Sequence, residues 1–416
     1  MSMSQRGAWT LGACVLGVLL SFVQVRATAL TDIRVDAMKG VFNGDRTNIG
    51  DPGPSIAAAR LLRATRHASI YRNVKSEGAA FIYPPLAALF YAPAAARSPS
   101  DARDFLVLVN RILLAGVGVL ALWLLLTRQE ARWAEAFGGV AVLLVFYPLL
   151  RAIELNQATV FVTFIVGLAL VLLKAGEDRG AGIAFAFAVA FKPHMVLALP
   201  LMYWHSRRMV VATLFTGVFL LGLSLAYAGV QNHFDYLTEV LPMVSRGYAF
   251  YPNQSWNGVL HRLSPEANIA HFALATPSAP VRVGSTLLSL LCYVAALLIV
   301  RRWRGASVAP FVFAFAWLVS TLVSPIAWEH HYAPALFLFT MAYGALRDDA
   351  SLAQPKILAL LAVAFVLLAS YFEVRHLQGV IPRLLVSYVF AGALCLAGAW
   401  VLMVSRLAKA SSDLAS

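Results

Sequence analysis

Lys192 stands in the run AFAFAVAFKPHMVLALPLMYW, flanked on both sides by about ten apolar residues. An ammonium at membrane depth costs at least roughly 2.5–3.5 kcal/mol, and such groups are kept chiefly for function. Pro193 follows directly; it has no amide donor and clashes with the preceding turn, so the helix breaks there. Broken backbone at that depth is tolerated only against protein or a cavity. A cation beside a cavity inside the membrane suits an anionic ligand that arrives from the lipid.

Four polar clusters supply the other chemistry-bearing groups. Residues 27–103 carry Asp32, Asp45 and Asp51, any of which can take a proton from a hydroxyl as a general base. Glu154-Leu155-Asn156-Gln157 and the stretch Tyr251 to Gly258, with Asn253, Gln254, Ser255 and Trp256, offer amides and a ring. The fourth cluster runs from Ser324-Pro325 through Trp328 to His330-His331. Each has a bland reading beside the functional one. A loop aspartate is usually solvated, and Trp256 and Trp328 also fit an aromatic belt at the membrane interface. The histidines fit an interfacial structural role as well as phosphate or sugar contact. A metal site is disfavoured, because adjacent helical residues point about 100° apart and no His-x3-His or carboxylate pair at ligand spacing accompanies them.

The elements that position these groups must lie in a membrane. The chain has 416 residues, 60% hydrophobic and 13% charged, with a mean hydropathy of +0.73. Soluble domains are about 45–50% apolar and 25% charged, so an all-α polytopic membrane protein of about 10–12 membrane segments is expected. Cys14, Cys292 and Cys395 fall in apolar segments and read as small hydrophobes. The net charge of +13 sits in short clusters between apolar runs, as positive-inside topology requires, which argues against nucleic acid.

A first helix is expected within 1–26, retained rather than cleaved at Ala27-Thr28-Ala29. Residues 27–103 then form a first outer loop, 104–229 a membrane bundle, 230–280 a second outer loop, 281–405 a C-terminal bundle and 406–416 a cytoplasmic tail. Apolar runs fall near 104–127, 134–151, 157–174, 209–229, 281–300, 308–324, 331–346, 356–372 and 383–404. Residues 181–204 break the alternation, with Arg179 before them and Arg207 and Arg208 after, so both ends look cytoplasmic. Lys192-Pro193-His194 divides them into arms of about eleven residues, roughly 16 Å each at 1.5 Å per residue, or half a bilayer. A re-entrant hairpin with Lys192 at its tip is expected; a proline-kinked span is the alternative. On this topology the four clusters face one compartment, with Lys192 approaching from below.

The order of these landmarks also resembles glycosyltransferase family 87. Asp51, Ala58-Ala59-Arg60, Ile70-Tyr71 and Phe81-Ile82-Tyr83-Pro84-Pro85-Leu86 match its first outer loop in order and near-spacing. Asn156-Gln157, Lys192-Pro193, Asn253-Gln254-Ser255 with Gly258, and Ser324-Pro325 with Trp328 and His330-His331 match later, over roughly residues 45–335. The resemblance implies a GT-C-like helical bundle and an inverting transferase that uses a polyprenyl-phosphate sugar, mannose in the family, and no cofactor. It implies Asp51 as base, with Asp32 nearer the membrane as a rival. Lys192, His330 and His331 would meet the donor phosphate. Arg60, Tyr83, Asn156, Gln157, His194, Asn253, Gln254, Ser255, Trp256 and Trp328 would line the substrates.

That chemistry suits the residue types. A phosphate already leaves well, so one carboxylate suffices for the acceptor hydroxyl, and cations stabilise charge on the leaving oxygen. The partners expected are the lipid-linked donor and a lipid or glycan acceptor, on the outer face of a bacterial inner membrane. Arabinofuranosyl transfer is an alternative within the class. A lipid or sugar transporter is another, although a transporter should show paired broken helices in two halves.

Overall fold

The structure is a computed structural model that describes residues 52–71, 81–126, 145–264, 278–303, 308–372 and 380–413, with single positions 139, 142, 267 and 269 between them. Asp32, Asp51 and the first apolar run lie outside the described residues. Among the described residues there is no strand, only an isolated antiparallel bridge between Asn253 and Trp328. The chain is an all-α polytopic membrane protein.

Two helices sit within the expected first outer loop: α1 (Gly53–Ala64) and α2 (Pro85–Ala95). They pack together through buried Ile56, Ala59, Leu62, Ala87 and Ala88. The chain continues with α3 (Pro99–Leu126), α4 (Tyr147–Glu154), α5 (Thr159–Lys174) and α6 (Asp178–Phe191). A 3-10 turn (Pro193–Leu197) and the short α7 (Ala198–Met202) lead into α8 (Arg207–Asp235). α8 is kinked at Gly229, whose φ of 80° is costly for any residue with a Cβ. Next come α9 (Leu241–Ser245), α10 (Trp256–Leu263), α11 (Ala279–Val300) and α12 (Ala309–Leu322). After the 3-10 turn Glu329–Tyr332 follow α13 (Ala335–Asp348), α14 (Pro355–Ala369), α15 (Val380–Leu385) and α16 (Tyr388–Asp413).

Four stretches are long and apolar enough to cross a membrane: Pro99–Leu125, Arg207–Ser245, Ala279–Val300 and Tyr388–Lys409. Three of them turn large apolar side chains outward, among them Ile112, Val119, Phe215, Val218, Leu287 and Leu291. Exposed stripes of that size belong against lipid. α12 is the opposite case. Every residue of it except Phe311 is buried, as expected for a helix that is apolar all round. The expected run 383–404 is divided between α15 and α16, with Val386 and Ser387 between them.

The question posed by residues 181–204 has a geometric answer. Ser206 Oγ donates to Asp178 Oδ2 at 2.6 Å, so the two ends of the segment meet. Thr213 Oγ1 donates to the Gly182 carbonyl at 3.0 Å, and Ala186 packs with Leu220 further along. Those pairs advance together, so α6 and α8 run parallel and the chain between them must return. On the way back, Tyr293 of α11 donates to the Leu197 carbonyl at 2.9 Å, and the His205 ring lies 3.1 Å from the Val300 carbonyl. The segment turns back, and the proline-kinked span is excluded.

Lys192 is the point of reversal. Its φ of −127° and ψ of 82° lie outside the helical region, as the crowding of a following proline demands.

The parallel crossing of α6 on α8 depends on Gly182. A Cβ there would lie 2.3 Å from the Met209 carbonyl oxygen and 2.8 Å from the Ala212 Cβ. Alanine gains about 1 kcal/mol of helix propensity, but overpacking against fixed backbone costs about 1–3 kcal/mol. Gly182→Ala is expected to lower the thermal unfolding midpoint of the detergent-solubilised protein. A midpoint at or above that of the parent would deny the close approach.

Candidate active site

At the hairpin tip the Lys192 side chain is 6% exposed, and its Nζ lies 2.6 Å from His331 Nε2. An ammonium can only donate, so His331 Nε2 accepts and its proton sits on Nδ1. That Nδ1 is buried and has no hydrogen-bond partner. The same holds for His330 Nε2 and His194 Nε2. His194 stacks on His331 with ring centroids 6.0 Å apart and planes at 17°, and His330 meets His331 edge-on at 4.9 Å. Buried polar atoms are nearly always satisfied, so three open ring nitrogens around one ammonium call for an explanation. A ligand rich in acceptor oxygens supplies one.

Tyr83, in the bend before α2, lies under the same cation, with Lys192 Nζ 5.4 Å from its ring centroid. Its Oη donates to Gln157 Oε1 at 3.1 Å, and its carbonyl accepts from Tyr71 Oη at 2.7 Å. Asn156 occupies the left-handed region, with φ of 51°, at the turn that ends α4. Its Oδ1 accepts from Asn110 Nδ2, while its own Nδ2 is buried and unpartnered. The fold therefore brings Lys192, His194, His330, His331, Tyr83 and Gln157 together, with Asn156 beside Gln157.

The other candidates are placed differently. Asn253, Gln254 and Ser255 are fully buried, and their polar groups are taken up inside the protein. Asn253 Nδ2 donates to the Tyr248 and Pro325 carbonyls, and its Oδ1 accepts from Ala327 N and Ser255 Oγ. Gln254 donates to the Tyr251 and Val386 carbonyls and accepts from Phe390 N. Ser255 caps α10 by accepting from Gly258 N at 3.1 Å. These bonds occupy the groups by which the three would touch a sugar. Trp256 stands edge-on to Phe390 at 4.7 Å, and Trp328 lies among Tyr248 and Phe250. Arg60 donates to the Ala95 and Arg97 carbonyls, at the end of α2 remote from Tyr83. It is not brought to the cluster. Asp51 and Asp32 lie outside the described residues.

Sequence reasoning passed over two buried charges. Glu329 is 2% exposed and accepts from Tyr147 Oη at 2.6 Å. Arg262, 0% exposed, donates to the Asn253 carbonyl and to Ser387 Oγ, each at 2.7 Å. Glu329 has a sequence signal, since it precedes the histidine pair in an apolar setting. Arg262 has none, because one arginine in a short amphipathic helix reads as a surface residue. Among the described residues no group of three His, Cys, Asp or Glu stands close enough to hold a metal ion.

Fold and site together define a multi-pass helical membrane protein with a buried cluster of one lysine and three histidines at the tip of a re-entrant hairpin. The model of glycosyltransferase family 87 matches residues 81–325, more than half of the chain, and the chain belongs to that family. No curated protein and no solved structure matches it. The matched span contains Tyr83, Asn156, Gln157, Lys192 and His194 and ends five residues before His330, and family membership makes the chain a glycosyltransferase.

Proposed function

We propose that this glycosyltransferase takes its sugar, a hexose of the mannose type, from a polyprenyl-phosphate donor and passes it to a lipid or glycan hydroxyl on the outer face of a bacterial inner membrane. The observation that carries this reading is the buried Lys192 ammonium with three open imidazole nitrogens around it. A phosphate monoanion matches that donor set. A lipid-linked one reaches membrane depth without leaving the bilayer.

In the reaction the acceptor oxygen attacks C1 of the sugar while Asp51 takes its proton, and the bond from C1 to the phosphate oxygen breaks. The electron pair leaves with the polyprenyl phosphate. Lys192 and the histidines meet the charge that builds on that oxygen, the role of donors preorganised in a water-poor site. One displacement gives inversion at C1. Tyr83, Gln157 and Asn156 line the side on which sugar hydroxyls lie. Asn253, Gln254 and Ser255 act at a distance by holding the backbone between α9 and α10 against residues 325–327.

The test is transfer from a radiolabelled polyprenyl-phosphate sugar by purified Asp51→Asn and Asp32→Asn proteins. Loss of a general base typically costs about 10²–10⁴ in rate. That loss is expected in Asp51→Asn alone. Full activity there with loss in Asp32→Asn would move the base to Asp32.

A further inference from the structure

The two histidines lie on a four-residue 3-10 turn, Glu329–Tyr332. Such a turn has poor hydrogen-bond geometry and holds no fixed orientation by itself. With three residues per turn, positions 329 and 332 share one edge, and positions 330 and 331 occupy the other two. Both residues on the shared edge are tied to the rest of the fold. Tyr332 Oη donates to the Gln254 carbonyl at 2.5 Å. Glu329 is tied twice: its N–H donates to the Pro252 carbonyl at 3.1 Å, and its carboxylate accepts from Tyr147 Oη at 2.6 Å. Tyr147 is itself 1% exposed at the start of α4, with its ring 5.3 Å from that of Tyr371. α4 thus reaches the cluster at both ends: Tyr147 holds Glu329 at one, and Gln157, just past the other, meets Tyr83.

We propose that Glu329, held by Tyr147, is the positioning residue that aims His330 and His331 at the ligand phosphate beside Lys192. It touches neither phosphate nor sugar, because its carboxylate faces α4. A side chain buried only to fill space would be apolar, since a buried carboxylate is costly unless its bonds secure something. What these bonds secure is the angle of two imidazoles about the turn axis.

The inference rests on the lipid-phosphate reading above, so the experiment separates the two. Polyprenyl phosphate without sugar is titrated into the purified full-length protein and into Glu329→Ala, Glu329→Gln, Tyr147→Phe, Tyr147→Phe/Glu329→Ala and Lys192→Met variants. Donor KM and kcat are read alongside, and histidine ring resonances are followed by NMR. Glu329→Ala is expected to weaken binding about tenfold. Glu329→Gln, which still accepts from Tyr147, should recover most of that loss. The double variant should be no weaker than Glu329→Ala alone, since residues acting through one bond are not additive.

Wild-type binding in Glu329→Ala, or full additivity in the double variant, would overturn the positioning role. Unchanged ring resonances in Tyr147→Phe would do the same, and that milder variant keeps the test open if Glu329→Ala does not fold. If Lys192→Met also binds normally, the phosphate reading itself fails. If Lys192→Met loses binding while Glu329→Ala keeps it, only the positioning role fails.

Discussion

Lys192→Met is expected to cut sugar transfer by a factor of about 10²–10³, the loss seen when one donor to a developing anion is removed. Methionine keeps most of the lysine's length and its apolar stem, so the hairpin tip stays filled while the charge disappears. The same change should leave the thermal unfolding midpoint level or raise it, because a buried ammonium costs stability that an apolar side chain does not. Function and stability therefore move in opposite directions, which a structural lysine would not produce. Lys192→Arg should not restore the rate. A planar guanidinium of greater length cannot reproduce the 2.6 Å approach to His331 Nε2 with the Tyr83 and His194 rings packed around it. Labelled-donor turnover and unfolding of the same preparations decide the matter. Wild-type turnover in Lys192→Met removes the lysine from the site.

Asn253→Ala is expected to abolish folding or nearly so. The side chain is 0% exposed and makes four hydrogen bonds that join the 248–255 backbone to residues 325–327. Truncation strands the Tyr248 carbonyl and the Ala327 amide, each worth about 1–3 kcal/mol when buried and unsatisfied, and leaves the Pro325 carbonyl with the Ser255 hydroxyl alone. Set against a total stability of roughly 5–15 kcal/mol, that sum is decisive. Size-exclusion of a fluorescent fusion should show loss of the monodisperse peak. The competing outcome is a well-folded Asn253→Ala protein with a raised KM for the sugar donor. That result would return Asn253 to the substrate-binding set, where its residue type first placed it.

The contrast between these two residues shows which parts of the site were legible in the sequence. Lys192 was legible because its surroundings are uniform: a charge and a proline within twenty apolar residues have few explanations. The reversal of the chain was legible from Arg179 on one side and Arg207 and Arg208 on the other. Asn253 and Gln254 were not, because an amide that holds a sugar and one that holds two carbonyls are the same group. Only the partners distinguish them, and those lie some 70 and 130 residues away, at Pro325 and Val386. The division of the run 383–404 has the same origin. Gln254 reaches Val386 O and Phe390 N, and Arg262 reaches Ser387 Oγ, so the gap between α15 and α16 is set by groups on another part of the chain. Glu329 was visible in the sequence, but its role depends on Tyr147, 182 residues away.

The bond between Ser206 and Asp178 has a consequence for the arithmetic of the whole polypeptide. A segment that leaves and re-enters at one point adds nothing to the parity of membrane crossings. Every helix after Arg207 therefore has the orientation it would have if 179–205 were absent. Insertions, deletions or exchanges confined to the tip leave that orientation untouched, whatever they do to the ammonium itself. New ligand preferences can be tried there without re-threading the rest of the protein.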